Sequence, residues 1–476
     1  MPAPATTKLY EQLADEISSQ IRAGVLRPGD RLPSVRVTSR GYGVNPGTVL
    51  QAYGRLEDRG QIRARPRSGY YVTARREDVQ PEPETLWPPK GSTTVNTRDL
   101  IFDVLNAIKS RNVVPFGSAF PSPDFFPFAE LAKSLHAGAR RLDPYAAVEH
   151  LPPGNLDLIR QIARRYMESG VTVRKDEIVI TCGAIEGLNL CLQAVAQPGD
   201  VIAIESPTFY LALEAIERMK LKAVEIATHP REGVDLSALS AALDRHPIKV
   251  CWLMTNFQNP MGSLMPEGKK RELVRMLAER DVPLIEDDVY AELYFGADRP
   301  KPAKAFDRKG LVLHCSSFSK CLAPGYRLGW AAAGRFADQV NRSKLMTSIA
   351  TSIPIQAGIA EHLKHGGYER HLRRLRHSLA IQQGHMLQAI KQYFPTATRV
   401  TRPEGGYFLW VELPESVNAL DVQRLAIEKK ITIVPGPIFS ARQKYGNYIR
   451  LNYGLLWAPQ MEVAMTTLGE IVTSLC

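Results

Sequence analysis

Four prolines stand within nine residues at Pro81, Pro83, Pro88 and Pro89, and they divide this chain in two. Each fixes its own φ and removes a backbone donor, so no helix or ladder runs through them. The polar residues among them complete what reads as a semi-rigid linker over 77–98. The chain therefore divides into a head, residues 1–76, and a large C-terminal unit, residues 99–476. Each has to build its own core.

The head shows helical periodicity. Leu9, Leu13, Ile17 and Ile21 recur every four residues and give one apolar stripe. Pro28-Gly29-Asp30 marks a turn, Ser34 can cap a second helix, and Gly43 ends it. A third helix begins near Pro46 with Val49, Ala52, Tyr53 and Leu56 on one face. Two short β-type runs, 61–64 and 69–72, follow. Three helices and a hairpin make a winged helix-turn-helix. Charge agrees with a polyanion partner. Residues 1–80 hold 13 Lys and Arg against 8 Asp and Glu, which is +5 of the chain's net +11.

Leu32-Pro33-Ser34-Val35-Arg36, then Gly43-Val44-Asn45-Pro46-Gly47-Thr48-Val49, then Ala52-Tyr53 and Leu56-Glu57 resemble the GntR family of bacterial transcription regulators. The resemblance implies double-stranded operator DNA as a partner. Asn45, Thr48 and Gln51 would meet base edges or phosphates at the start of the third helix. Arg36 would hold the backbone. Arg65, Arg67 and Gly69 would set the wing along the minor groove. Thr38, Ser39 and Tyr42 stand where the family has a Leu-Ala pair and a later Leu, which predicts looser packing of the second helix.

Beyond the linker, short apolar runs at 178–180, 201–204, 250–254, 282–285 and 311–313 alternate with amphipathic segments. That pattern is α/β, with a mostly parallel sheet covered on both faces. An Arg-rich helix from about 370 and the runs 406–412 and 448–452 suggest a smaller α+β lobe. Hydrophobic residues make up 44% and charged residues 23% of the chain, and no apolar run reaches membrane-span length. The start of the chain lacks a basic segment followed by an apolar one. The expectation is cytoplasmic. The six scattered cysteines form no Cys-x-x-Cys pair, so no metal site is expected.

The chemistry concentrates in Ser317-Phe-Ser319-Lys320-Cys-Leu-Ala-Pro-Gly-Tyr-Arg327-Leu-Gly329. A lysine beside two hydroxyls and an arginine suits a Schiff base next to a phosphate. Ser317, Ser319 and Arg327 can bind phosphate oxygens. Gly183-Ala184-Ile185, between a strand and a helix, can add backbone amides. Asp287, at a strand's end, would hold a pyridine nitrogen protonated, with Tyr290 and Asn259 on the ring hydroxyl. In this order the residues resemble fold-type I aminotransferases, from about residue 99 to the end. The resemblance implies pyridoxal 5'-phosphate, with Lys320 as the catalytic lysine. Phe209 would stack on the ring, and Arg450 would take the α-carboxylate of a substrate or effector. Two departures stand out. Ala184-Ile185 replaces a pair that is often polar, and Glu149 stands where a tyrosine commonly reaches the partner subunit's phosphate.

The two halves together resemble the MocR/GabR subgroup of GntR regulators. That implies a homodimer whose head is controlled by an aminotransferase-like domain that binds the cofactor and a small amino compound. The alternative is a working aminotransferase whose head is secondary. A third reading has the cofactor itself as the sensed ligand.

Overall fold

A computed structural model describes residues 8–23, 25–26, 29–65, 68–73, 80–107, 113–143, 145, 151–365 and 367–476. The head consists of α1 (Leu9–Arg22), α2 (Val35–Tyr42), α3 (Pro46–Asp58) and the hairpin β1 (Ile62–Arg65) and β2 (Gly69–Val72). Ser34 and Asn45 cap α2 and α3 with their side-chain oxygens, and Gly43 closes α2 in the left-handed conformation. Val49, Ala52, Tyr53 and Leu56 are buried against Leu13, Ala14 and Ile17. Of the three residues expected to loosen α2, Tyr42 is exposed, but Thr38 packs closely. It is buried, and its hydroxyl lies 2.7 Å from the Tyr53 hydroxyl, which donates to the Pro33 carbonyl. A hydrogen bond holds α2 to α3 where the family uses an apolar contact.

The proline-rich stretch is laid on the body. The Pro81 carbonyl accepts from Val400 N, Glu84 pairs with Arg399, and Glu82 pairs with Arg231 while accepting from Arg402 N. The reading that this stretch forms no strand is corrected at its end. Beyond the last proline, two β-branched residues form β3 (Thr93–Thr94), antiparallel to β6. α4 (Arg98–Ala107) follows.

The body continues through α5 (Phe128–Arg140), α6 (Leu156–Glu168), β4 (Ile178–Thr181), α7 (Ala184–Val195), β5 (Val201–Ser206), α8 (Tyr210–Arg218), β6 (Lys222–His229), β7 (Gly233–Val234), α9 (Leu236–Arg245), β8 (Ile248–Leu253), α10 (Glu267–Glu279), β9 (Leu284–Asp287), β10 (Val312–Ser317), β11 (Gly329–Ala332), α11 (Ala337–Ser348), α12 (Ile353–Lys364) and α13 (Gly367–Tyr393). The main sheet runs β3-β6-β5-β8-β9-β10-β11-β4, with β7 beside β6. The pairs from β6 through β10 are parallel, and β11 is antiparallel to both of its neighbours. These strands are buried almost throughout, which is why they read as continuous apolar runs. The smaller lobe holds β12 (Arg399–Val400), β13 (Phe408–Glu412), α14 (Ala419–Glu428), β14 (Val434–Pro435), β15 (Tyr448–Asn452) and α15 (Pro459–Ser474), with an antiparallel sheet β12-β13-β15-β14. Among the described residues no helix is long and apolar enough to cross a membrane, and no cluster of His, Cys, Asp or Glu could hold a metal.

Candidate cofactor and effector site

Parallel strands bring their C-terminal ends to one edge, where α/β sheets form a ligand crevice. Asp287 closes β9 and Ser317 closes β10, and the Lys320 turn follows directly. Asp287 is buried, and its Oδ1 has no hydrogen-bond partner. Burial first and the neighbouring Asp288 second push its carboxyl up to about 7, while the charge on Lys320 works the other way. Lys320 mirrors it. Burial, then Arg450, brings its amine down to about 7, and Asp287 opposes that shift. Lys320 Nζ donates to the Ala119 carbonyl at 2.9 Å and lies 4.2 Å from the centre of the Phe120 ring.

On one side of Lys320 lies a set of anion donors. Arg327, itself in the left-handed conformation, donates through Nη1 to Ser319 Oγ at 3.2 Å and through Nη2 to the Cys182 carbonyl at 3.3 Å. Gly183, at φ +82, begins α7. A Cβ there would stand 2.5 Å from Arg327 Nη2, so only glycine admits the guanidinium. Gly329 packs as tightly on the other side, since its Cβ would meet the Gly183 carbonyl carbon at 2.6 Å. The free amides opening α7 at Ala184 and Ile185 are thus held beside Arg327, Ser317 and Ser319. Apolar side chains at 184 and 185 leave the backbone to make that contact.

Arg450 lies on the other side. It is fully buried in β15, donates through Nη1 to Asn259 Oδ1 and through Nη2 to the Gly117 carbonyl, both at 3.1 Å, and leaves Nε unpartnered. Its guanidinium stacks 4.1 Å over Phe408. A buried cation held by neutral acceptors is suited to a carboxylate. Tyr290 is buried among Tyr407, Phe408 and Arg450, and burial raises its hydroxyl well above the usual range. Phe209 occupies the position before α8, its ring tilted by 55° against that of Tyr210 with centroids 5.0 Å apart.

The pyridoxal phosphate fit rests on this donor set. The orphaned Asp287 oxygen suits a protonated ring nitrogen, and the glycine-lined cradle suits a phosphate. Sequence reasoning missed the turn-and-bend segment 117–120, whose carbonyls hold Arg450 and Lys320 and whose Ala119 also accepts from the Tyr407 hydroxyl. Main-chain carbonyls leave no trace in side-chain identity, so nothing in the sequence could have flagged them. Glu149 lies outside the described residues.

The DNA-reading candidates lie apart from this crevice. Arg36, Asn45 and Gln51 are exposed and Thr48 is half-buried along the start of α3. Part of Asn45 is engaged, because its Oδ1 accepts from Gly47 N at 2.9 Å. Arg65 ends β1 opposite Gly69, and Gly69, at φ +103, has the Arg31 guanidinium 3.3 Å from where a Cβ would stand. Arg67 lies outside the described residues.

Comparison with known proteins assigns each half. The family of aminotransferases of class I and II matches residues 137–468, and the bacterial regulatory proteins of the gntR family match residues 9–72. The chain is 46% identical over 472 residues to the HTH-type transcriptional regulator YdcR of Escherichia coli, covering 98% of this chain and 99% of that one. It is 31% identical to the 2-aminoadipate transaminase of Thermus thermophilus over 79% of this chain and 94% of the relative. Among solved structures, the alpha-aminoadipate aminotransferase LysN of Thermus thermophilus, complexed with N-(5'-phosphopyridoxyl)-L-leucine, superposes with a TM-score of 0.71 at 28% identity. It covers 80% of this chain and 99% of that one.

Proposed function

The chain belongs to the HTH-type transcriptional regulators that join a gntR-family head to an aminotransferase class I and II domain, and from this we propose that it binds operator DNA under the control of pyridoxal 5'-phosphate and a small amino compound, as a homodimer. The observation that carries the reading is the placement of Lys320, Asp287, Arg327 and Arg450 around one crevice, in a chain whose head is separately folded.

Bound there, the cofactor would supply a carbonyl that bonds reversibly to amines and a ring that draws electrons when its nitrogen is protonated. The protein's own groups define what can enter. Lys320, with its amine brought down to about 7, is a nucleophile near neutrality. Asp287 holds a charge against the ring nitrogen. Ser317, Ser319, Arg327 and the α7 amides hold the phosphate. Asn259 and Tyr290 stand by the ring hydroxyl and Phe209 by its face. Arg450 takes a carboxylate in place of the Gly117 carbonyl. In the head, Arg36, Asn45, Thr48 and Gln51 meet the duplex, with Arg65, Arg67 and Gly69 in the wing.

The test combines two measurements on the full-length protein. Wild type with pyridoxal phosphate gains visible absorbance, and Lys320→Ala does not. Affinity for a duplex from the gene's own upstream region changes when amino acids from a panel are added to the loaded protein. A colourless wild type overturns the cofactor reading. Sustained keto-acid formation with unchanged DNA affinity overturns the regulatory one.

A further inference from the structure

α13 spans 27 residues, about 40 Å at 1.5 Å per residue, and touches both halves of the molecule. Its inward stripe includes Tyr368, His371, Leu372, Leu375 and Leu379, all buried. Two of these grip the residue after Lys320. His371 Nε2 lies 2.6 Å from the Cys321 carbonyl and so donates to it, and the Tyr368 hydroxyl lies 3.1 Å from Cys321 Sγ. Arg376, in the next turns, donates to the Glu292 carbonyl at 3.2 Å, two residues beyond Tyr290, and stacks on Tyr294.

The opposite stripe consists of His377, Ile381 and His385, four residues apart and therefore in line. It meets the head. The His377 ring packs edge-on against Tyr71 of β2, with centroids 6.1 Å apart. His385 Nε2 stands 3.9 Å from Asp30 Oδ1. At Gly29, φ +92, a Cβ would come 3.4 Å from the Ile381 Cα, so the turn lies against the helix backbone itself. Asp30 and Gly29 are tied in turn to β2, through Val72 N to the Asp30 carbonyl and Gly29 N to the Val72 carbonyl, both at 2.9 Å.

We propose that α13 carries the state of the Lys320 turn to the DNA-binding head, with His371 and Tyr368 as positioning residues at one end and His377, Ile381 and His385 as the seat of the head at the other. The proposal rests on the regulatory reading above and names its physical route. A group that bonds to Lys320 Nζ takes the amine away from the Ala119 carbonyl. The turn that follows is hydrogen-bonded to α13, so its shift is passed to a helix that is stiff along its axis. The head, resting on the far side of that helix, receives the displacement at Gly29–Asp30 and Tyr71. Neither Ile381 nor His377 would touch cofactor or DNA. Their influence is a coupling free energy, and double-state evidence is what tests it.

The experiment measures deuterium uptake of the full-length protein with and without pyridoxal phosphate, in peptides covering residues 29–33 and 69–73. Visible absorbance of the same samples records loading. In wild type, loading changes uptake in these peptides by about fivefold or more, the lower end of usual coupling energies. Ile381→Lys, at a half-buried position, loads as wild type does, but its head peptides exchange alike with and without cofactor. Ile381→Leu restores the difference. A wild type that loads without any change in the head, or an Ile381→Lys protein that responds as wild type does, overturns the coupling and leaves the cofactor reading standing. A wild type that does not load overturns both.

Discussion

His314 Nε2 lies 2.9 Å from Asp288 Oδ2, one residue on from Asp287, and neither side chain reaches water. The proton's place follows from the neighbours. Trp330 Nε1 donates to the Tyr166 hydroxyl, whose single hydrogen is then free for His314 Nδ1 at 2.6 Å. The histidine's proton sits on Nε2 and faces Asp288, which also accepts from Asn256. This network fixes the residue beside Asp287. His314→Ala leaves the Asp288 carboxylate without that donor, a hydrogen bond to a charged group that contributes about 1.5–3 kcal/mol, and opens a cavity that adds to the cost. Tyr166→Phe costs roughly 1–2 kcal/mol. Thermal unfolding of the two variants should rank them in that order.

Attachment of the cofactor should titrate near neutrality. Only a neutral amine attacks a carbonyl, and Lys320 is brought down to about 7 by burial and by Arg450. The rate at which visible absorbance appears should rise with pH through about 7. Arg450→Gln removes a cation and moves the inflection upward. Asp287→Asn removes the opposing charge and moves it downward. An inflection left in place by both variants would show that burial alone sets it.

Asp287 also sets a pH dependence of stability. Its folded carboxyl is raised to about 7 from an ordinary 3.8, so the folded state holds this proton more tightly than the unfolded state does. The stability it contributes is full below about 4 and is lost as pH rises to about 7. The stability of Asp287→Asn relative to wild type, both without cofactor, should therefore grow across that window and level off above it. Chemical denaturation at stepped pH measures this.

Gly329→Ala should be more damaging than its size suggests. The added methyl meets backbone, the Gly183 carbonyl carbon at 2.6 Å and Ala184 N at 2.8 Å, and neither can swing aside. Overpacking of this kind costs about 1–3 kcal/mol. It also pushes on the amides that open α7, so phosphate-containing cofactor should load more weakly while pyridoxal itself is less affected. Absorbance titrations with the two compounds separate these effects.

In the head, Gln51→Ala and Arg36→Ala should differ in kind. Both positions are exposed. Loss of a base contact relaxes preference at one operator position and costs about 1–3 kcal/mol there. Loss of a phosphate contact weakens all duplexes alike and lowers the salt slope by about one. Binding to an operator and to a scrambled duplex across a salt series tells them apart.

Much of this was legible because the signals are local. Caps at Ser34 and Asn45, the four-residue stripe of α1 and the apolar runs of β4, β5, β8, β9 and β10 each follow from nearby residues. What stayed hidden depends on distant partners. β11 begins on the last residue of the lysine motif, and its Gly329-Trp-Ala-Ala carries no β-branched residue and becomes a strand only between β10 and β4. β6 starts with a lysine and includes Glu225, which is buried because Ser440 and Ala441 N bond to it. The side chains of the candidate site could be proposed from motif order. The carbonyls of Gly117 and Ala119 that close it could not, since any residue would offer the same atom.

The anchoring of the proline-rich stretch limits how far the head can travel. Gln80 is held to Arg402, and Thr73 still hydrogen-bonds within the head, to the Gln61 and Gly60 carbonyls. Seven residue steps separate them, at most about 25 Å of fully extended chain. Whatever the body does, the head moves on a short leash. In the homodimer proposed above, an operator must therefore present its contacts within a fixed reach, and a duplex whose recognition elements are spaced further apart should be bound by one head at a time.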